Sequence, residues 1–173
     1  MQNTGEFEVR LAVEADLPQI VAFLSIPVVD QSFVPPLSSR RTGVADRVQN
    51  KFKHGFWLIA LCGSDIVGCR GCNGEDSRHV VEFSTLAVAP EFSGRGLGCL
   101  LMRRSVQVAS TLYTPSMMKF DSWVTNEAVR KIALRIGFTP TRVYDDPEKR
   151  PPGIQSVEYV LMCDPRDIPK PPS

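Results

Sequence analysis

The chain has 173 residues, 20 of them basic and 19 acidic, for a net charge of +1 with histidine neutral. That near balance gives no electrostatic reason to expect nucleic acid or an anionic membrane as partner, and no apolar run approaches the roughly 20 residues of a membrane-spanning helix. Five cysteines, an odd count, and an N-terminus without a basic-then-apolar leader point to reduced thiols and a cytoplasmic protein. The length predicts a single domain over residues 1–163, followed by a proline-rich tail over 164–173.

Phe7-Glu-Val9-Arg-Leu11 alternates apolar and polar residues as a half-buried strand does. Asp16 then opens a helix, with Pro18 in its first turn and Gln19 completing a capping-box pattern. Leu17, Ile20, Val21 and Leu24 share one helical face. From Ser25 to Gly43 the prolines at 27, 35 and 36 break any helix, yet Val28, Val29, Phe33 and Val34 are more apolar than a solvated linker requires. Val44, Val48 and Phe52 suggest one short helix. Phe56 to Leu61 is a buried-strand run that turns at Gly63-Ser-Asp65 and returns over Ile66 to Cys72. Asn73-Gly74 is a hairpin-turn signal, extended by the polar stretch through Arg78. Cys69-Arg-Gly-Cys72 has the spacing of a metal or redox pair, but residues three apart on a strand face opposite sides. His54, His79 and the other cysteines supply no second ligand pair, so no metal site is expected.

His79 to Val88 reads as a strand. It runs into Pro90-Glu-Phe-Ser93-Gly94-Arg95-Gly96-Leu97-Gly98, and a helix follows with Leu97, Leu100, Leu101, Val108 and Leu112 on its buried face. Glycines at a strand-to-helix turn let backbone N–H groups converge at the positive end of a helix, which suits phosphate. The dinucleotide pattern G-x-G-x-x-G needs glycine where Cys99 stands, and the Gly-Lys-Ser/Thr of a P-loop is missing. Met118 to Val124 gives another strand, and Asn126 to Phe138 another amphipathic helix, stopped by Gly137. Thr141 to Tyr144 and Val157 to Met162 supply two last strands.

Strand, Pro-Glu-Phe, Ser-Gly-Arg-Gly-Leu-Gly and apolar helix together resemble the acetyl-CoA loop of the GNAT (GCN5-related N-acetyltransferase) superfamily, written Arg/Gln-x-x-Gly-x-Gly/Ala. Gly96 and Gly98 match it, Gly94-Arg95 fill the variable pair, and Ser93 departs from Arg/Gln. Val9-Arg-Leu-Ala with Asp16-Leu-x-x-Ile20 is similar to the family's first strand and helix. Asn126, Gly137 and Phe138 match its second signature, with Val129 in place of alanine and Ala133 in place of tyrosine. The resemblance spans about residues 7 to 163. It implies an α+β fold: a mixed, mostly antiparallel sheet of six to seven strands with about four helices, in α/β/α layers.

The activity so implied is transfer of an acetyl group from acetyl-CoA, as cosubstrate, to a primary amine by direct attack in a ternary complex. The acceptor expected is a small-molecule or peptide amine, with small amine, amino acid, antibiotic, peptide N-terminus and protein lysine all open; the segment 25–43 lies over it or merely covers the core, and a homodimer is compatible. Backbone groups of Leu86, Ala87 and Val88 are expected to pair with the pantetheine amides. Ser93, Gly94, Arg95, Gly96, Leu97 and Gly98 are expected to hold the pyrophosphate, and Asn126 to cap its helix and meet the pantetheine arm. A lysine-like amine with pKa near 10.4 costs about 4.6 kcal/mol to deprotonate at pH 7, so a base is useful. Glu82 interrupts Val80-Val-Glu-Phe83 six residues before Val88, the offset of the catalytic glutamate in the family's histone-lysine branch, and it is the catalytic candidate. Ser84 and His79 are weaker ones. Ser93 and Ala133 favour an alternative, an acyl-CoA-binding sensor or interaction module without turnover, and a different acyl group also stays open. Asp145 and Asp146 could meet a cationic amine and Lys149-Arg150 a carboxylate, while Arg40-Arg41 reads as surface.

Overall fold

A computed structural model describes residues 7–164, so nearly all of the proline-rich tail expected from 164 onward lies outside the described residues. The elements run β1 (Glu8–Leu11), α1 (Leu17–Leu24), α2 (Pro27–Asp30), α3 (Val44–His54), β2 (Phe56–Cys62), β3 (Asp65–Glu75), β4 (Val80–Val88), α4 (Leu97–Leu112), β5 (Met117–Trp123), α5 (Glu127–Ile136), β6 (Thr139–Asp145) and β7 (Gln155–Met162). One seven-stranded sheet has the order β1-β2-β3-β4-β5-β7-β6. Every neighbouring pair is antiparallel except β4 with β5.

Alternation along the central strands divides the interior into two cores. Trp57, Ile59, Cys69 and Ala87 point to one face, where they meet Leu17, Ile20, Phe23, Leu24, Val29 and Val48 of α1, α2 and α3. Leu58, Ala60, Val81, Phe83 and Phe120 point to the other, against Leu97, Leu101 and Met102 of α4 and Ala133 of α5. Burial on both faces explains why β2 reads as an unbroken apolar run. Cys69 and Cys72 fall in opposite cores. The layers are α/β/α. The fifth helix is the single turn α2, inside the segment whose prolines suppress longer helices.

Two local readings are corrected. Asn73-Gly74 is not the hairpin turn: both residues lie within β3, whose ladder runs on to Glu75↔Val81. Gly74 sits at φ +89, where an added Cβ would lie 2.1 Å from the His54 carbonyl oxygen, so the glycine is required by close approach of the chain after α3. The turn comes at Asp76, whose Oδ1 accepts the Arg78 and Val80 amides at 2.8 and 3.0 Å. Asp16 makes no side-chain cap on α1. Its carboxylate instead receives both Arg10 nitrogens at 2.7 and 2.9 Å and the Val13 amide at 2.7 Å.

The Arg10 fork, helped by the Val13 amide and opposed by burial, holds the Asp16 carboxyl below its usual range. A depressed carboxyl contributes stability above the unfolded pKa near 4 and loses it as the pH falls through the lower folded value. Asp16→Asn should therefore lower stability at pH 7, and the wild-type advantage should shrink between about pH 4 and pH 2. Denaturant titrations across that range check it. An advantage that does not change with pH would refute the ion pair's role.

Candidate active site

The parallel ladder of β4 with β5 covers only Val80↔Met117, Val81↔Met118 and Glu82↔Lys119. Beyond Glu82 the strands part. At the parting β4 carries a bulge: Arg70 of β3 pairs with Leu86 and Gly71 with Ser84, which leaves Thr85 unpaired. Thr85 lies at φ +45, a left-handed conformation that costs a β-branched residue on the order of 1–3 kcal/mol. The extra residue reverses the alternation, so Glu82 and Ser84 face the α3 side while Leu86 and Val88 face the α4 side. The Ala89 amide donates to the Val67 carbonyl of β3 at 2.9 Å. Alternation then sends the Leu86 and Val88 amides to the free edge.

A cleft of about 860 Å³ opens between the diverging strands. At one end lies the turn from β4 to α4. Gly94 and Gly96 adopt φ +78 and +83, and added Cβ atoms at either would meet nothing within 4 Å. Gly96 is the N-cap of α4, with no side chain capping the helix. The first-turn amides of a helix have no intrahelical acceptor, so Leu97, Gly98 and Cys99 present three of them beside an empty concavity. Gly98 packs closer, since a Cβ there would lie 3.2 Å from Ile132 Cδ1 of α5. This is a cradle for an anion, and it fits the pyrophosphate of a coenzyme A group.

Of the residues expected to bind the cofactor, Leu86, Val88, Ser93, Gly94, Gly96, Leu97, Gly98 and Asn126 line the cleft. Ala87 does not: it is 4 % exposed in the core and paired with Cys69 of β3. Arg95 lies outside the lining, with its guanidinium 5.2 Å from the Phe92 ring centre. Asn126 caps α5 by accepting the Val129 amide at 3.3 Å, and donates from Nδ2 to Ser122 Oγ at 3.1 Å.

At the opposite end Glu82 and Ser84 open into the cleft together with Lys51 of α3. Ser84 Oγ lies 3.4 Å from Asn73 Oδ1. Lys51 is only 9 % exposed; burial, reinforced by Arg47, lowers its pKa to about 8 despite the opposing charge of Glu82. Tyr144 and Tyr159 line no part of the cleft, and Ala133 is fully buried in the core beneath α5. Among the described residues, then, no phenol stands where the family's tyrosine would.

Three expectations about the acceptor side change. Arg40 is not simple surface: it lines the cleft, and burial, then repulsion from Arg47 and Arg150, brings its pKa down to about 10. Arg150 is 8 % exposed and structural. It donates to Val34 O at 2.6 Å, Ser156 Oγ at 3.1 Å and Asp121 Oδ2 at 2.8 Å, and so ties the segment before α3 to the β6–β7 loop. Lys149 reaches the other Asp121 oxygen at 3.1 Å and Asp146 at 3.9 Å. These four charges therefore compensate one another. Arg70 escaped notice in the sequence, although a lone cation in an apolar strand is a readable signal. It is 3 % exposed between the rings of Phe83 and Phe120, 5.3 and 5.1 Å away, and Nε and Nη2 have no hydrogen-bond partner.

Residues 20–138 match the acetyltransferase (GNAT) family, and the chain belongs to that family; it is an acyltransferase. No curated protein sequence gives a significant match. Solved structures agree on the fold. The ribosomal-protein-S5-alanine acetyltransferase of Vibrio fischeri superposes with a TM-score of 0.76 at 12% identity, over 97% of this chain and 98% of that one. YncA of Salmonella typhimurium, solved with its cofactor acetyl-CoA, gives 0.72 at 20% identity, over 91% and 94%. A GNAT-family acetyltransferase of Streptococcus pneumoniae gives 0.72 at 17%, over 92% and 100%. Among the described residues no cluster of metal-ligating side chains is found, and no helix is long and apolar enough to cross a membrane.

The open space at Gly96 makes a direct test. Gly96→Glu should fold with a loss of about 1–2 kcal/mol from the left-handed backbone, and it should abolish the thermal stabilisation by acetyl-CoA. For the parent chain that stabilisation is about 2.7 kcal/mol at a hundredfold excess over Kd. A folded Gly96→Glu that binds as well as the parent would place the phosphates elsewhere.

Proposed function

We propose that this chain is an N-acetyltransferase that transfers acetyl from acetyl-CoA to a primary amine by direct attack, with Glu82 as general base. One observation carries the reading: the glycine cradle and the Glu82 carboxylate open into the same cleft, from opposite ends of the free edge of β4. Acetyl-CoA supplies the acyl thioester and departs as the thiol. The edge amides of Leu86 and Val88 are in position to extend the sheet onto a pantetheine arm, and Val88 N–H can stabilise negative charge on the reacting carbonyl. Ser93 adds a hydroxyl to the amides of residues 94–98, and Asn126 offers its amide group from the cap of α5.

The carboxylate of Glu82 receives the proton that the attacking ammonium must lose, which addresses the larger barrier. A thiol with pKa near 8.5 lies only about 2 kcal/mol from ionisation at pH 7, so departure tolerates the alanine at position 133. Glu82→Gln keeps the shape but cannot take a proton. It should lower turnover by roughly 10²-fold and flatten the acidic limb of the rate profile, with acetyl-CoA affinity unchanged. Thiol release across a broad amine panel measures this. Binding of acetyl-CoA without release on any amine would identify a sensor instead.

A further inference from the structure

Lys51 and Arg47 lie one turn apart on the same face of α3 and both line the cleft. The stem of Lys51 crosses β3 over Gly71, where a Cβ would come within 2.8 Å of Lys51 Cδ. Lys51 is 9 % exposed, its ammonium opens into the cleft, and no hydrogen bond or ion pair holds it among the described residues. Arg47 Nε is buried and also without a partner. Arg40 joins them from the preceding segment; Arg47 lowers the proton affinity of Arg40, and both arginines lower that of Lys51.

The nearby carboxylates balance this charge only in part. Asp30, which accepts from the Ser38 amide and hydroxyl at 2.7 and 2.6 Å, offsets Arg40 alone among the three, as does Asp121. Asp121 is held by Lys149 and Arg150. Glu82 and the exposed Glu148 remain in the lining, two acids against three cations, and the proposed task of Glu82 is to take a proton. The cofactor's phosphates do not supply the counter-charge either. α3 packs on the face opposite α4, and Gly71 pairs with Ser84, four residues and roughly 13 Å along β4 from Val88, after which the glycine turn begins.

We propose that the acceptor is a small amine that also carries an acid group, as an amino acid does, with the acid held by Lys51, Arg47 and Arg40 while the amine faces Glu82. The proposal rests on the amine-acetylation reading above and narrows it. A partly desolvated cation gains most from an anion that hydrogen-bonds to it directly. The same three charges disfavour polyamines and lysine-rich peptides, because like charges brought together at a binding surface cost affinity. Carboxylate and phosphonate share the required chemistry.

The test uses the full chain with acetyl-CoA and matched acceptors: the standard L-amino acids, their carboxamides, the amines lacking the acid, and 2-aminoethylphosphonate against ethanolamine. At least one acid should exceed its carboxamide by about tenfold or more in kcat/KM, the worth of one charged hydrogen bond. Whether that acid is a carboxylate or the phosphonate identifies the source. Lys51→Met and Arg47→Gln should each raise KM for the acid, shrink its lead over the carboxamide, and leave acetyl-CoA Kd unchanged by calorimetry. Carboxamides or plain amines used equally well would overturn the proposal while leaving the acetyltransferase intact. If no amine is turned over, the melting temperature decides: a rise with the acids but not the carboxamides, lost in Lys51→Met, upholds the anion site and removes the reaction. No such rise overturns both.

Discussion

Parallel hydrogen bonding between β4 and β5 ends at Glu82↔Lys119, and three residues later the Thr85 bulge turns β4 toward β3 alone. From that single break follow the free strand edge, the cleft and the exchange of faces that puts Glu82 and Ser84 on one side and Leu86 and Val88 on the other. The left-handed Thr85 is maintained because both flanking segments are fixed, one by two ladders and the other by β3 and the turn into α4. Local strain of this size persists only where surrounding structure over-determines it.

Cations in this molecule fall into two groups by how their charge is met. Arg150 is nearly inaccessible but fully bonded, and a buried charge so satisfied acts as a clasp between distant segments. Arg70 and Arg47 bury guanidinium nitrogens that have no hydrogen-bond partner among the described residues. Desolvating a charge without a partner is costly, so these side chains oppose folding unless something in the cleft meets them. Phe83 and Phe120 recover part of that cost for Arg70 through their ring faces. For Arg47 Nε there is no equivalent among the described residues.

Patterns carried by short-range chemistry were legible without coordinates. The apolar run of β2, the amphipathic α5 with its glycine stop, and the glycine turn into α4 all stand where residue order places them. Long-range demands were not legible. Asn73-Gly74 looks like a turn because nothing nearby announces that the chain after α3 passes against Gly74. Arg150 reads as a cation free to meet a ligand carboxylate because its partners lie 116 and 29 residues away. Thr85 sits in Glu-Phe-Ser-Thr-Leu, an ordinary strand sequence, and its bulge is set by how β3 and β5 compete for β4. Glu82 is a candidate readable from its offset along one strand, whereas the cations opposite it include two from a helix some thirty residues earlier.

The chain's two tryptophans divide the molecule in another way. Trp57 is wholly enclosed, with its indole nitrogen donating to the Val48 carbonyl at 3.0 Å, so its surroundings change only if α3 leaves the sheet. Trp123 stands at the end of β5 on the cleft wall, 5.8 Å from the Arg150 guanidinium. Indole emission follows the polarity and mobility around the ring. One chromophore therefore reports whether the domain is folded and the other whether its cleft is filled, and a single substitution at either position separates the two signals without a label.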